Sequence, residues 1–182
     1  SIEDLVRELK KKVDEVAEDL RRKVREALER SRENIDRLKK HSEENLRRSE
    51  EVVDKLRKET REEEVKDILR RVLELSKRIV EESKEILDRV LELSKKVVDD
   101  IEEIIRRVEE TVKEVLTRLS RVDDKVVKRD HMVLHEYVNA AGITVEKLIR
   151  ELEDINRKVN ERNRRLAEES RKILDEVEKR VR

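Results

Sequence analysis

Helical periodicity is clearest in the stretch Ile68-Leu-Arg-Arg-Val-Leu-Glu-Leu-Ser-Lys77, which recurs as Ile86-Leu-Asp-Arg-Val-Leu-Glu-Leu-Ser-Lys95. The offset of 18 residues equals about five helical turns of 3.6 residues each. Within each copy the apolar residues are three and four positions apart, which places them on one face of an α-helix. The 18-residue offset favours nearly straight helices over a strict heptad supercoil.

The same spacing continues on both sides of the repeat and predicts three long helices. Their predicted ranges are 2–58, 61–120 and 124–181. Thr60 with Glu63 has the pattern of a capping box for the second helix, and Asp123 or Asp124 is a candidate cap for the third. One continuous helix is the alternative, but folding back buries the apolar faces against each other. We therefore expect an all-α, antiparallel up-down-up three-helix bundle that forms a single domain over residues 1–182.

Composition restricts the class of protein and its partners. Charged residues make up 53% of the 182 residues, Pro and Cys are absent, and the single Gly is Gly142. Long helices without Gly and Pro are common in idealised designed proteins. The 48 basic and 48 acidic residues are interleaved, so we expect neither a nucleic-acid partner nor a membrane partner. The sequence has no long apolar run and no signal-peptide pattern, which predicts a soluble protein suited to cytoplasmic expression.

The apolar faces that the three helices turn toward each other are called the seam here. Eight polar residues interrupt it: Asn34, His41, Asn45, Ser76, Ser83, Asn156, Asn160 and Asn163. Folding the chain at about residues 60 and 122 sets Asn34 level with Ser83 and Asn156, and sets His41 level with Ser76 and Asn163. These residues form either a polar active site or buried hydrogen bonds that fix the alignment of the helices. Asn and Ser supply no acid–base group and the seam holds no carboxylate pair, so we favour the structural interpretation. We expect neither an enzyme nor a cofactor.

One segment of the third helix departs from the surrounding composition. It comprises Arg129, Asp130, His131, Met132, Val133, Leu134, His135, Glu136, Tyr137, Val138, Asn139, Ala140, Ala141, Gly142, Ile143 and Thr144. It contains the only Met, Tyr and Gly of the chain, and its Gly costs about 1 kcal/mol of helix stability relative to Ala. His131 and His135 share a helical face, but no third ligand is evident, so we expect no metal site.

This segment resembles the eleventh strand of green fluorescent protein. His135, Tyr137 and Asn139 stand where the natural strand has Leu, Phe and Thr, as in the small fragment of the self-assembling split system. The resemblance is continuous over 16 of the 182 residues and extends to no other part of the chain. It implies that the partner is the large fragment of split green fluorescent protein, and that Glu136 would lie near the chromophore in the complex.

The segment fits two periodicities. As a strand, it alternates Met132, Leu134, Glu136 and Val138 on one face. As a helix, it keeps Leu134 and Val138 in phase with the seam. Folding the chain at about residues 60 and 122 predicts that the segment faces residues 101–116 of the second helix and 9–20 of the first, where Ala17 leaves room for Tyr137.

We therefore expect a designed, monomeric switch that resembles cage-and-latch proteins in its layout. Helices one and two would be the cage and helix three the latch. A competing key helix would release the segment. The alternative is a passive bundle or heterodimer module that carries the fragment as a tag, although a tag normally sits at a terminus on a flexible linker.

Overall fold

A computed structural model describes residues 2–119 and 124–181, and the side chains of Ile2, Asp124 and Val181 are outside that description. Three α-helices account for nearly all of these residues: α1 (Ile2–Glu59), α2 (Glu63–Leu119) and α3 (Asp124–Val181). They pack against one another as a bundle in which α2 is antiparallel to its two neighbours. The predicted fold class is confirmed, and each predicted helix end lies within two residues of the observed one.

The helix ends carry charges that suit the helix dipole. The first turns of α1 and α2 are acidic and the last turns of all three helices are basic, through Glu3, Asp4, Glu63, Glu64, Arg57, Lys58, Arg118, Lys179 and Arg180. Between these ends the apolar residues recur at three and four positions. Each helix therefore offers one apolar face to its neighbours.

The connection between α1 and α2 differs from the predicted capping box. The Thr60 amide donates to the Leu56 carbonyl at 3.1 Å, so it still belongs to the last turn of α1 and is not free to donate to the Glu63 carboxylate. The first bond of α2 runs from the Lys66 amide to the Glu62 carbonyl at 3.1 Å, which places Glu62 at the cap position. No described residue has a positive φ, so this connection needs no glycine. The predicted cap at Asp123 lies outside the described residues.

The chain divides into two compact units, each built from three helical segments. The first unit combines residues 2–30, 94–119 and 124–154, and its core consists of two apolar clusters. Its buried residues include Leu9, Val24, Ile101, Val112 and Leu152. Because so many of its apolar residues are almost fully excluded from water, burial supplies most of its stability.

The second unit combines residues 31–93 and 155–181. Val53, Leu56 and Leu69 form its main apolar cluster. Polar groups occupy much of the remaining interior, where Ser31, Asn34 and Ser49 are buried. The single-domain prediction for residues 1–182 stays a prediction. None of the described helices contains a stretch apolar enough to span a bilayer.

Candidate functional site

The segment 129–144 is helical along its whole length, inside α3. Its buried residues are Leu134 and Val138, and the seam continues outside the segment at Val127 and Val145. These positions are seven, four and seven residues apart, which is the period of a helix and not of a strand. The tertiary structure therefore selects the helical one of the two periodicities that the segment contains.

The apolar residues that a strand would bury are divided by this helical phase. Met132, Val133, Tyr137 and Ile143 are exposed on the surface, Met132 to 66%. Leu134, which shares a strand face with Met132, is only 7% exposed. The helix therefore separates Met132 from Leu134, which a strand would place on one face.

The neighbours of the segment are those predicted by folding the chain at about residues 60 and 122. Leu134 and Val138 belong to one buried cluster with Leu9 and Val13 of α1. From α2 the same cluster takes Val112, Leu116 and Leu119. The predicted packing against residues 101–116 of α2 and 9–20 of α1 is therefore confirmed.

The predicted contact between Tyr137 and Ala17 is wrong. Tyr137 is 44% exposed, and the space beside Ala17 is a small cavity of about 20 Å³ lined by Val138, Ala141 and Gly142. The reason is angular: Tyr137 precedes the buried Val138 by one residue, about 100° around the helix. That rotation carries the ring from the core to the surface.

Polar contacts also join the segment to α1. The Lys12 ammonium donates to His135 Nδ1 at 2.7 Å and reaches Asn139 Oδ1 at 3.4 Å. Burial lowers the pKa of His135, and the nearby charges of Lys12 and His131 lower it further. The rings of His131 and His135 are 5.7 Å apart. Over residues 2–119 and 124–181, no group of three or more potential metal ligands occurs.

Two hydrogen bonds connect the polar seam in the second unit. The Asn156 amide donates to the Ser31 hydroxyl, and the Ser83 hydroxyl donates to Asn163 Oδ1 at 3.3 Å. Ser31 is fully buried, although it is not among the eight polar residues predicted to interrupt the apolar face. The signal was present, because Ser31 lies four residues from both Ala27 and Ile35, in phase with the seam.

The other seam residues make local contacts or line a cavity of about 550 Å³. Residues Asn34, His41, Asn45, Ser83, Asn160 and Asn163 line it together. His41 is exposed and the Ser76 hydroxyl donates to its own helix at the Val72 carbonyl, 3.0 Å away. Asn34 Oδ1 accepts from Arg37 at 2.9 Å, and its Nδ2 has no partner among the described residues.

The predicted levels of the seam are wrong for α2. Folding at about residues 60 and 122 places Ser83 beside Asn156, but Ser83 bonds to Asn163, seven residues or about two turns away. The contacts between α1 and α2 are also shifted along the helices from the predicted levels. Lys39 forms an ion pair with Asp88, and Glu43 forms one with Lys84. His41 therefore is not level with Ser76. Folding at fixed points along the sequence ignored whole-turn sliding, which preserves the apolar phase.

Comparison with protein-family models, curated proteins and solved structures finds no match to this chain.

Proposed function

We propose that this chain is a designed, non-enzymatic switch that holds residues 129–144 as a helix and releases them to the large fragment of split green fluorescent protein when α3 opens. One observation carries the proposal: the segment that resembles a β-strand is helical throughout. Strand complementation requires an extended backbone whose amide and carbonyl groups pair with a sheet edge. In a helix those groups bond to each other, so the helical and complemented states exclude each other.

Packing supports a closed state that resists opening. Leu134 and Val138 are 7% and 2% exposed, and both lie in a cluster with residues of α1 and α2. Freeing the segment therefore transfers these side chains to water along with the rest of the α3 seam. The fraction of open molecules sets the apparent affinity for the large fragment, because only the open state binds.

The position of the segment favours a switch over a passive tag. It lies within α3, with helix on both sides, and its buried residues continue the α3 seam. The charged, proline-free composition supports a designed origin. The resemblance to a strand of green fluorescent protein supports the identity of the partner.

The first experiment compares this chain with a free peptide of residues 129–144. Each is mixed with an excess of the large fragment, and the growth of fluorescence is followed. We expect the chain to complement more slowly than the peptide. The ratio of the two rates should equal the fraction of chains that are open. A peptide copying residues 145–182 should raise the rate by competing for the place of α3, and a scrambled peptide should not. Equal rates for chain and free peptide would establish the passive tag.

The second experiment changes the stability of the bundle without touching the segment. Leu152→Ala removes a side chain that is 2% exposed and should cost about 2–5 kcal/mol, which raises the open fraction by about 30-fold or more until it saturates. Ile155→Ala, at a position 44% exposed on the same helix, is the matched control and should leave the rate nearly unchanged. Identical rates for both variants would contradict the proposal.

A further inference from the structure

The second unit leaves two rows of apolar side chains exposed. On α2 the row is Ile68, Leu75, Ile86 and Leu93, and on α3 it is Ile155, Leu166 and Ile173, all between 37% and 61% exposed. Over the described part of α1, no large apolar side chain is exposed to this extent. Intervals of seven and eleven residues place each row on one face of its helix. The apolar pattern of α2 and α3 therefore extends beyond what their mutual packing and α1 cover.

The two rows flank the contact between α2 and α3. At 3.6 residues per turn, each row lies roughly 60–80° around its helix from the hydrogen-bonded pair Ser83 and Asn163. On α2 this is the side away from Lys84 and Asp88, which contact α1. On α3 it is the side away from Asn156, which bonds Ser31 of α1. Both rows thus face away from these α1 contacts, although Leu166 also lines the cavity of about 550 Å³ that residues of α1 border.

The rows are also level with each other. Leu93 lies ten residues after Ser83 in α2, and Ile155 lies eight residues before Asn163 in α3. Because the two helices are antiparallel, these offsets place Leu93 and Ile155 at nearly the same height. In the other direction, Leu75 and Ile173 are related in the same way. Together the rows border a groove whose length from Ile68 to Leu93 is about 38 Å at 1.5 Å per residue.

We infer that this groove binds one additional amphipathic α-helix from another chain, with an apolar stripe and an acidic edge, which completes a four-helix arrangement. A groove between two helices is complementary to one convex helix. A second copy of this face would instead oppose another groove. A fourth helix in this groove would cover the apolar side chains of α2 and α3 that three helices leave exposed.

The acidic edge follows from the charges beside the α2 row. Arg71, Arg78 and Arg89 lie along its outer margin, interrupted by Glu82. These three arginines are exposed and have no ion-pair partner among the described residues. A docked helix with Glu or Asp along this edge would pair with them, and the same charges would select its orientation.

The inference is independent of the proposed function, because the groove contains none of residues 129–144. Its test uses the full chain and a synthetic helical peptide of about 28 residues, long enough to span the groove. The peptide has Leu at alternating three- and four-residue intervals and Glu along one edge. Binding is measured by fluorescence anisotropy of the labelled peptide, and the oligomeric state of the chain by sedimentation.

The variant Leu75→Gln with Leu93→Gln removes apolar surface from the groove at exposed positions, so folding should persist. The control Glu74→Gln with Glu92→Gln introduces the same residues at adjacent exposed positions, about 100° around the helix from the apolar row. We expect saturable one-to-one binding, weakened about 30-fold or more by the first pair and little by the second. Reversing the acidic edge of the peptide to Lys should weaken binding in the same way.

Three results would overturn the inference. The first is an absence of peptide binding, and the second is equal weakening by both pairs of substitutions. The third is a dimer of the chain alone that Leu75→Gln with Leu93→Gln dissociates, because that result would assign the groove to a second copy. Thermal unfolding of each variant, expected to match that of the parent chain, verifies that the fold is intact.

Discussion

The Lys12 ammonium lies 2.7 Å from His135 Nδ1 and so joins α1 to the segment 129–144 of α3. Burial is the first cause that lowers the pKa of His135, and the charges of Lys12 and His131 are the next. His135 is therefore neutral in the folded bundle near neutral pH. The ammonium donates to one ring nitrogen and favours the tautomer that carries its proton on Nε2.

Acidification should weaken the bundle through His135. In the unfolded chain its pKa returns to about 6.5, so the unfolded state binds the proton first as the pH falls. The stability is fully present above that value and decreases below it. We expect the free energy of unfolding by urea to be lower at about pH 5.5 than at about pH 7.5, a range above that of the carboxylates.

Lys12→Gln tests this origin of the pH dependence. It removes the neighbouring charge, raises the pKa of His135 toward its ordinary value and should flatten the dependence. Lys11→Gln, at the adjacent exposed position, is the control and should retain the slope of the parent chain. If the two variants share one slope, the Lys12–His135 contact has no part in it.

Gly142→Ala should stabilise the closed bundle. Gly142 lies inside α3 without a positive φ, and a Cβ built there meets nothing closer than Val16 Cγ1 at 4.0 Å. Alanine should therefore fit and gain about 1 kcal/mol of helix stability. We expect a higher melting temperature and slower complementation with the large fragment. The reverse change at an exposed site of the same segment, Ala140→Gly, should lower the melting temperature by a similar amount.

Substitutions within the segment should follow the helical phase. Leu134→Ala should cost about 2–5 kcal/mol because the side chain is buried against α1 and α2. Tyr137→Ala should cost less than about 0.5 kcal/mol because the ring is exposed. Chemical denaturation of the two variants measures the difference. A larger loss for Tyr137→Ala would show that the seam follows another phase.

Asn34 and Asn156 of the second unit should respond differently to replacement by leucine. Asn34 is 5% exposed and its Nδ2 has no partner among the described residues, so Asn34→Leu should raise the stability by about 1 kcal/mol. Asn156 Oδ1 is likewise without a partner among the described residues, but Asn156→Leu also removes the donor to the buried Ser31 hydroxyl. It should therefore be less favourable than Asn34→Leu by about 1 kcal/mol. Urea titrations of both variants compare them directly. Equal gains would indicate that the Asn156–Ser31 bond contributes nothing.

Local pattern was sufficient to predict the helices and the helical phase of the segment. Apolar spacing repeats every turn, so it places Leu134 and Val138 on the buried face without knowledge of the neighbours. The resemblance of residues 129–144 to a strand is likewise a property of the residue order, since it depends on no contact. Folding the chain at about residues 60 and 122 also predicted which parts of α1 and α2 cover the segment.

The partners of individual polar groups depended on the tertiary structure. Sliding one helix by whole turns keeps its apolar face inward, so the sequence allowed Ser83 to meet either Asn156 or Asn163, and packing selected Asn163. Tyr137 became exposed because the buried Val138 fixed the rotation of α3. Lys12 contacts His135, 123 residues away in the sequence, because α1 and α3 lie side by side. Such distant pairings depend on the axial shift and rotation of the three packed helices. Local periodicity does not specify the axial shift.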